Sequence, residues 1–487
     1  VLAAAGGVAG VVLGRFALDG LKVLASGLLG VSQSGIRLDG RVLGFTALAT
    51  ILTSLLFGLY PALQTARTDL RTALARGGNR GGTGHSQGWA RQSLIVAEVS
   101  LSVVLLVCAG LLIRTLIHLT GLNPGFDSSN VVTASLSLQD VRYGTVAKVM
   151  KLFDESLERI RRMPGVEVAG IGLTLPYERA LNDGFTRLDG PHPSGQQEIT
   201  NVIYVTPGYF EALRMTLLRG RMFTASDRAG SQSVVVVNDA FARKYLRDQE
   251  AVGSHIRTVG ADRQIVGVMG GVQQRAGWGG FGPAGLVPCL YVPAAQTNDG
   301  YLQLIHTWFS PSWVVRSAGA PRGIIAGLQS AVASVDPELP FAGFRTMDQV
   351  RSRAFSFERL NATLAGILAG LALLLAAVGI YGLIANSVAE RTRELGIRMA
   401  LGATVAQAIV TVSAAGIRLA LLGLLLGCIV ALATARVLRT LLWGIAPNDA
   451  LTFAAVCGGL LLVAGLASLL PGLRVVRIHP AQTLREE

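Results

Sequence analysis

The sequence predicts an α-helical integral membrane protein that carries one large mixed α+β domain outside the membrane. Three observations lead there. Of 487 residues, 51% are hydrophobic and only 15% charged, with a mean hydropathy of +0.49; soluble domains carry about 25% charged residues. Apolar runs near the roughly 20 residues needed to cross a bilayer fall toward both ends of the chain. Between residues 120 and about 357, prolines, polar residues and strand-like runs replace the Leu/Ala/Gly tracts.

Taken in order, residues 1 to about 18 read as a Gly- and Ala-rich apolar helix with Arg15 and Asp19 near its exit. The chain opens without a Met or a basic stretch, so this helix is not read as a signal peptide. Residues 42–60 form a second apolar span stopped by Pro61. Arg67, Asp69, Arg71, Arg76, Arg80 and Arg91 then surround a Gly-rich stretch, which reads as a flexible basic linker. It is not a phosphate loop, because the sequence contains no Gly-Lys-Ser/Thr. Leu94–Ile113 is a third span, closed by Arg114. Glu98 lies one turn inside it, a functional candidate by depth, although it can also pair with Arg91.

In the middle block, Val131–Leu138, Val166–Leu173, Ser233–Asn238, Gln264–Met269 and Val314–Arg316 read as strands. Residues 145–163, 241–247 and 322–335 read as helices. The order is mixed α+β. Leu364–Ala385 is a fourth span. Residues 405–417 read as an interfacial helix, interrupted by Arg418, that leads into a fifth span, Leu419–Ala435; Arg436 and Arg439 follow it. A tight turn, Ile445–Asp449, precedes the sixth span, Leu451–Leu470, which Pro471 stops.

Net charge is +13. The arginines cluster beside apolar runs, which points to membrane topology rather than nucleic acid. Linker 62–91, loop 389–404 and tail 471–487 fall on one side if every span crosses once. All three are Arg-rich, so that side is cytoplasmic and the 120–357 block lies outside. Cys108, Cys428 and Cys457 sit in apolar runs and only Cys289 in a polar region, so no disulfide framework is expected. No metal-ligand spacing appears. The six histidines are scattered, with no Gly-x-Ser-x-Gly or His-Glu-x-x-His, so the chain is read as non-enzymatic.

Function concentrates after the fourth span. An uncharged run from Asn361 to Ala389 ends in five charges within nine residues: Glu390, Arg391, Arg393, Glu394 and Arg398. On a helix, Glu390, Arg391, Glu394 and Arg398 share one arc, with Glu394 and Arg398 at pairing distance. Leu395, Met399 and Ala400 take the opposite arc, and Gly402-Ala403-Thr404 reads as a stop. This amphipathic helix can lie on a membrane face or dock into a partner. Its wording, Val388-Ala-Glu-Arg-Thr-Arg-Glu-Leu-Gly-Ile-Arg-Met-Ala-Leu-Gly-Ala403, resembles the cytoplasmic loop of the FtsX-like, MacB-type permeases of ABC transporters. Val205-Thr-Pro-Gly-Tyr-Phe, Leu218-Arg-Gly-Arg-Met-Phe, Val236-Val-Asn-Asp-Ala-Phe-Ala, Ile265-Val-Gly-Val and Asp336-Pro-Glu-Leu-Pro resemble the periplasmic core domain of the same family.

The chain also repeats itself. Tyr60-Pro61-Ala-Leu63-Gln-Thr-Ala-Arg67 aligns with Leu470-Pro471-Gly-Leu473-Arg-Val-Val-Arg477. Residues 1–75 therefore read as the end of a first permease unit with two spans, and 76–91 as a cytoplasmic linker. Residues 92–119 read as a membrane helix, 120–357 as the outer domain, and 358–487 as a second permease domain with three spans. The resemblance, including a duplicated subgroup that lacks a fused ATPase, implies a permease subunit in the bacterial inner membrane. It implies that ATP and Mg are bound by a separate cytoplasmic ATPase rather than by this chain. Glu390, Arg391, Arg393, Glu394, Leu395, Arg398, Met399 and Gly402 would then form the ATPase-coupling helix. Beyond membrane lipid, it implies a periplasmic adaptor or a second copy as further partners. Export is the leading implication; the alternative is an FtsX-type signalling protein that activates a periplasmic partner.

Overall fold

The computed structural model describes residues 84–190, 197–275, 284–339, 343–390 and 404–472, together with 341, 401 and scattered positions between 6 and 51. The chain divides into two units, one made of Val1–Thr120 and Ser356–Glu487 and the other of Gly121–Phe355.

The first unit is helical where described beyond residue 84. Its long helices are α1 (Gly84–Gly121) before the second unit, and three after it. Within the second unit the chain runs β1 (Val131–Ser135), α2 (Val146–Arg161), β2 (Val166–Gly172), β3 (Leu181–Arg187), β4 (Glu198–Val205), α3 (Tyr209–Ala212), β5 (Leu217–Gly220), β6 (Val234–Asn238), α4 (Asp239–Tyr245), β7 (His255–Thr258), β8 (Ala261–Met269), β9 (Gln273–Gln274), β10 (Gly285–Leu286), β11 (Cys289–Pro293), α5 (Asp299–His306), β12 (Ser312–Ser317), α6 (Ile325–Ala333), β13 (Gly343–Thr346) and α7 (Met347–Ala354). Helices α8 (Ser356–Glu390), α9 (Val405–Val437) and α10 (Ala450–Gly472) follow.

Eleven strands form one mixed sheet. The pairings β11–β6–β8–β7–β3–β4 return to β11, because β4 pairs in parallel with β11 over Asn201–Val205. From β4 the sheet continues through β2, β12, β1 and β13. Strands β11 and β6, each with a parallel neighbour, are buried at every residue, which is why β6 reads Val-Val-Val-Val-Asn with no alternation.

Helix α2 shows the opposite logic. Val149, Leu152, Phe153, Ser156, Leu157 and Ile160 recur at three- and four-residue steps and are its buried face. Phe153 meets Trp313 of β12 edge to face at 5.5 Å, and the Trp313 indole N–H donates to the buried Ser156 Oγ at 3.0 Å. Burying an indole requires such a partner.

The family-like motifs of this unit are structural corners. Asn238 ends β6 and caps α4, its Oδ1 accepting from Phe241 N at 2.8 Å and from Cys289 N at 3.0 Å; its Nδ2 donates to Val287 O at 2.7 Å. One side chain thus ends a strand, starts a helix and ties down β11. In the Thr-Pro-Gly-Tyr corner, Gly208 has φ +97°, and a Cβ there would lie 2.4 Å from the Ala169 carbonyl oxygen. Asp336 accepts from Tyr143 Oη at 2.6 Å and from Arg142 Nη1 at 3.0 Å, and the Tyr143 hydrogen bond helps hold its carboxyl below the usual range.

Four described helices are long and apolar enough to cross a membrane: Gln92–Gly121, Ser356–Asn386, Ser413–Thr440 and Ala450–Leu469. One expectation changes here. Residues 405–417 and the span after them are a single helix, α9, that runs through Arg418. Arginine is a good helix former, and Arg418 stays exposed beside an apolar groove lined by Leu421, Leu422 and Leu425. A charge alone does not end a helix.

Candidate functional site

Helices α1, α8, α9 and α10 make a bundle, and the functional segment read from the sequence joins two of them. Glu390 is the last residue of α8. Arg391, Arg393, Glu394, Leu395, Arg398, Met399 and Gly402 lie outside the described residues, as does the first copy of the Pro-x-Leu-x-x-x-Arg repeat. The helix after that segment starts in a defined way. Thr404 Oγ1 accepts from Gln407 N at 3.3 Å, and Gln407 Oε1 accepts from Thr404 N at 3.0 Å. This capping box places the start of α9 at Val405. Thr404, read as part of a stop, is the start of the next element.

The bundle core is a stripe on α1, Ile95, Val99, Val103, Val107 and Leu111, packed with Ala376, Ile380 and Ile384 of α8, Ala420, Ala431 and Ala435 of α9 and Leu460 and Ala464 of α10. Four-residue steps on α1 keep one face inward. Helices α9 and α1 approach closely through Gly423 and Gly427. A Cβ at Gly423 would lie 2.7 Å from Val99 Cβ and 3.0 Å from the Val96 carbonyl oxygen; one at Gly427 would lie 2.7 Å from Val103 Cβ. This Gly-x-x-x-Gly spacing lets two apolar helices gain dispersion contacts at short range.

Polar side chains inside the bundle mostly meet backbone or each other. Ser102 Oγ lies 2.9 Å from the Ala372 carbonyl oxygen of α8 and 2.8 Å from that of Glu98. Ser413 Oγ of α9 donates to the Ser468 carbonyl oxygen of α10 at 3.3 Å. Glu98, the half-buried acid one turn inside the span, sits against α8 where that helix has no side chain: a Cβ on Gly379 would lie 2.7 Å from Glu98 Oε2.

At the other end of α1, Arg114 Nη1 forms an ion pair with Asp449 Oδ2. Asp449 is also the cap of α10, accepting from Thr452 N at 2.9 Å and Thr452 Oγ1 at 2.6 Å. Those Thr452 bonds, with the Arg114 guanidinium, hold its carboxyl below the usual range. Sequence reading placed Arg114 and Asp449 at the ends of their spans but did not pair them. The signal was present: Asp449 is the only acidic residue between Glu394 and Glu486. A second pair was also missed. Cys428 of α9 and Cys457 of α10 hold their sulfurs 3.7 Å apart.

These contacts set the helix directions. The start of α1 lies with the later half of α8, and the start of α9 with the end of α10; the end of α1 lies with the start of α10. The end of α8 and the start of α9 therefore lie at the opposite end of the bundle from the end of α1.

Comparison with known proteins gives two family models. A MacB-like periplasmic core domain matches residues 100–332, and an FtsX-like permease C-terminal domain matches residues 366–480. The ABC transporter permease YvrN of Bacillus subtilis is 28% identical over 350 residues, covering 69% of this chain and 79% of that protein. The ABC transporter permease YknZ of the same organism is 24% identical over 293 residues, covering 58% and 69%. The macrolide export ATP-binding/permease protein MacB of Chromobacterium violaceum is 27% identical over 245 residues, covering 48% of this chain and 36% of that protein.

Proposed function

We propose that the chain is an ABC transporter permease of the FtsX-like, MacB-type family, which its two domain matches and its similarity to YvrN support, and that it is the membrane subunit of an exporter driven by a separate cytoplasmic ATPase. It sits in the bacterial inner membrane, with Gly121–Phe355 on the outer side. ATP hydrolysis is passed through Glu390–Gly402 to α8 and α9, and through the bundle to the outer domain. A periplasmic adaptor, or a second copy of the chain, completes the assembly.

The observation that carries this reading is the opposition of the two ends. The end of α8 and the start of α9, which the charged segment joins in sequence, lie at one end of the bundle, and the end of α1, which the outer domain follows in sequence, lies at the other. Five charges, Glu390 at the end of α8 and Arg391, Arg393, Glu394 and Arg398 after it, suit the cytoplasmic side. Close helix packing at Gly423 and Gly427 suits a bundle that moves as a body rather than opening a wide conduit.

The test is reconstitution. The full chain, with candidate ABC ATPases from the same genome, is placed in liposomes. The expected result is a stable complex whose ATP hydrolysis depends on this chain. If none of the ATPases binds the chain or changes rate in its presence, the reading fails.

A further inference from the structure

Two thiols on different helices meet in the bundle. Cys428 of α9 and Cys457 of α10 are free and hold their sulfurs 3.7 Å apart, in van der Waals contact. Among the described residues, no other pair of cysteines shares such a contact. Both are half-buried. Cys428 lines an apolar surface groove with Leu421, Leu424 and Leu425, and this groove opens on the outside of the bundle. A small apolar molecule dissolved in the surrounding lipid can enter it.

We propose that Cys428 and Cys457 form a peroxide-reactive cross-linking site that ties α9 to α10. The oxidant is of the organic hydroperoxide class, which partitions into apolar phases. Cys428 sulfur attacks the terminal peroxide oxygen; the O–O bond breaks, the alcohol leaves with the thiol proton, and Cys428 becomes a sulfenic acid. Cys457 sulfur then attacks the Cys428 sulfur. The S–O bond breaks, the S–S bond forms, and water leaves with the second thiol proton. Two electrons pass from the thiols to the peroxide. Closing from 3.7 Å to the roughly 2.05 Å of a disulfide needs side-chain rotation and a small approach of two helices already packed. The cross-link depends only on α9–α10 packing; the membrane reading enters only through the oxidant's route.

The test treats the full chain in liposomes with cumene hydroperoxide, then alkylates the remaining thiols and maps peptides by mass spectrometry. The expected result is a linked Cys428–Cys457 peptide in most chains, with Cys108 and Cys289 still alkylated. In Cys457→Ser, Cys428 should be trapped by dimedone as its sulfenic acid. In Cys428→Ser, Cys457 should stay alkylatable. Retention of both thiols in the unsubstituted chain overturns the site. Equal oxidation of Cys457 in Cys428→Ser overturns the assignment of Cys428 as the attacking thiol.

Discussion

Arg114 of α1 and Asp449 at the cap of α10 form an ion pair. The carboxylate thereby serves two structures at once, the packing of α1 and the start of α10 through Thr452. Charge-assisted hydrogen bonds contribute about 1.5–3 kcal/mol. With both partners partly exposed, the pair should contribute at the lower end of that range. Arg114→Ala and Asp449→Asn should each lower the melting temperature of the detergent-purified chain. Asp449→Ala should cost more than Asp449→Asn, because the asparagine amide oxygen can still cap α10 and only the ion pair is lost, whereas alanine loses both. A double-mutant cycle with no coupling between Arg114 and Asp449 would refute the pairing.

The contact of α9 with α1 leaves no room for side chains at Gly423 and Gly427. Gly423→Leu and Gly427→Leu should each destabilise the bundle by about 1–3 kcal/mol through overpacking, and together they should abolish folded material in size-exclusion chromatography. Gly370→Ala is the control. Nothing lies within 4 Å of a Cβ there, and alanine favours helix over glycine by about 1 kcal/mol. That variant should be neutral or slightly more stable.

His306 in the sheet-containing unit is buried against Tyr204, with Nε2 and the Tyr204 hydroxyl 2.7 Å apart. Burial pushes its imidazole down to about 4, against about 6.5 in an unfolded chain. Below 6.5 the unfolded chain takes up a proton that the folded chain does not. Stability from the neutral ring is therefore full above pH 6.5 and falls as the pH drops toward 4. That window corresponds to a loss on the order of 3 kcal/mol. Urea unfolding of residues 121–355 at several pH values measures it. His306→Gln should flatten the slope; an unchanged slope would assign it to other groups.

The segment from Glu390 to Gly402 is expected to dock on the ATPase by its apolar arc. Leu395→Asp with Met399→Asp would bring charge into that contact, and burying an unpaired charge costs several kcal/mol. ATPase binding should then weaken by orders of magnitude. Exchanging Glu394 and Arg398 keeps the pair and the net charge and should cost less. Pull-down and ATP hydrolysis, normalised to expression, are the readouts. Normal coupling in the double Asp variant would make this segment a solvated loop.

Legibility followed the kind of force involved. The strand read at Val166–Leu173 appears as β2, Val166–Gly172, because branched residues and burial there agree. Strand β3, Leu-Asn-Asp-Gly-Phe-Thr-Arg, was not read: its Asn, Asp and Gly disfavour strands, and only Phe185 is fully buried. The flanking strands β4 and β7 impose the conformation through pairing. The break expected at Arg418 came from treating a charge as a boundary, whereas α9 runs through it. The Arg114–Asp449 and Cys428–Cys457 contacts depend on how three helices are rotated against one another, and that rotation has no periodic signature within any one of them. The residues of the coupling segment between Arg391 and Met399 lie outside the described residues.

The first strand of the sheet has consequences for biosynthesis. Among the described residues, strand β1 pairs only with β12 and β13, the last strands of its unit to be made. While a ribosome is still translating β2 to β11, β1 has no partner among the described strands, and its backbone N–H and C=O groups stay open. Closure must wait for Ser312 and the strand after it. The unit therefore reaches its native sheet late, nearly when α8 is ready to follow. A stall between β11 and β12 would leave an exposed strand edge of the kind that chaperones bind and proteases clear.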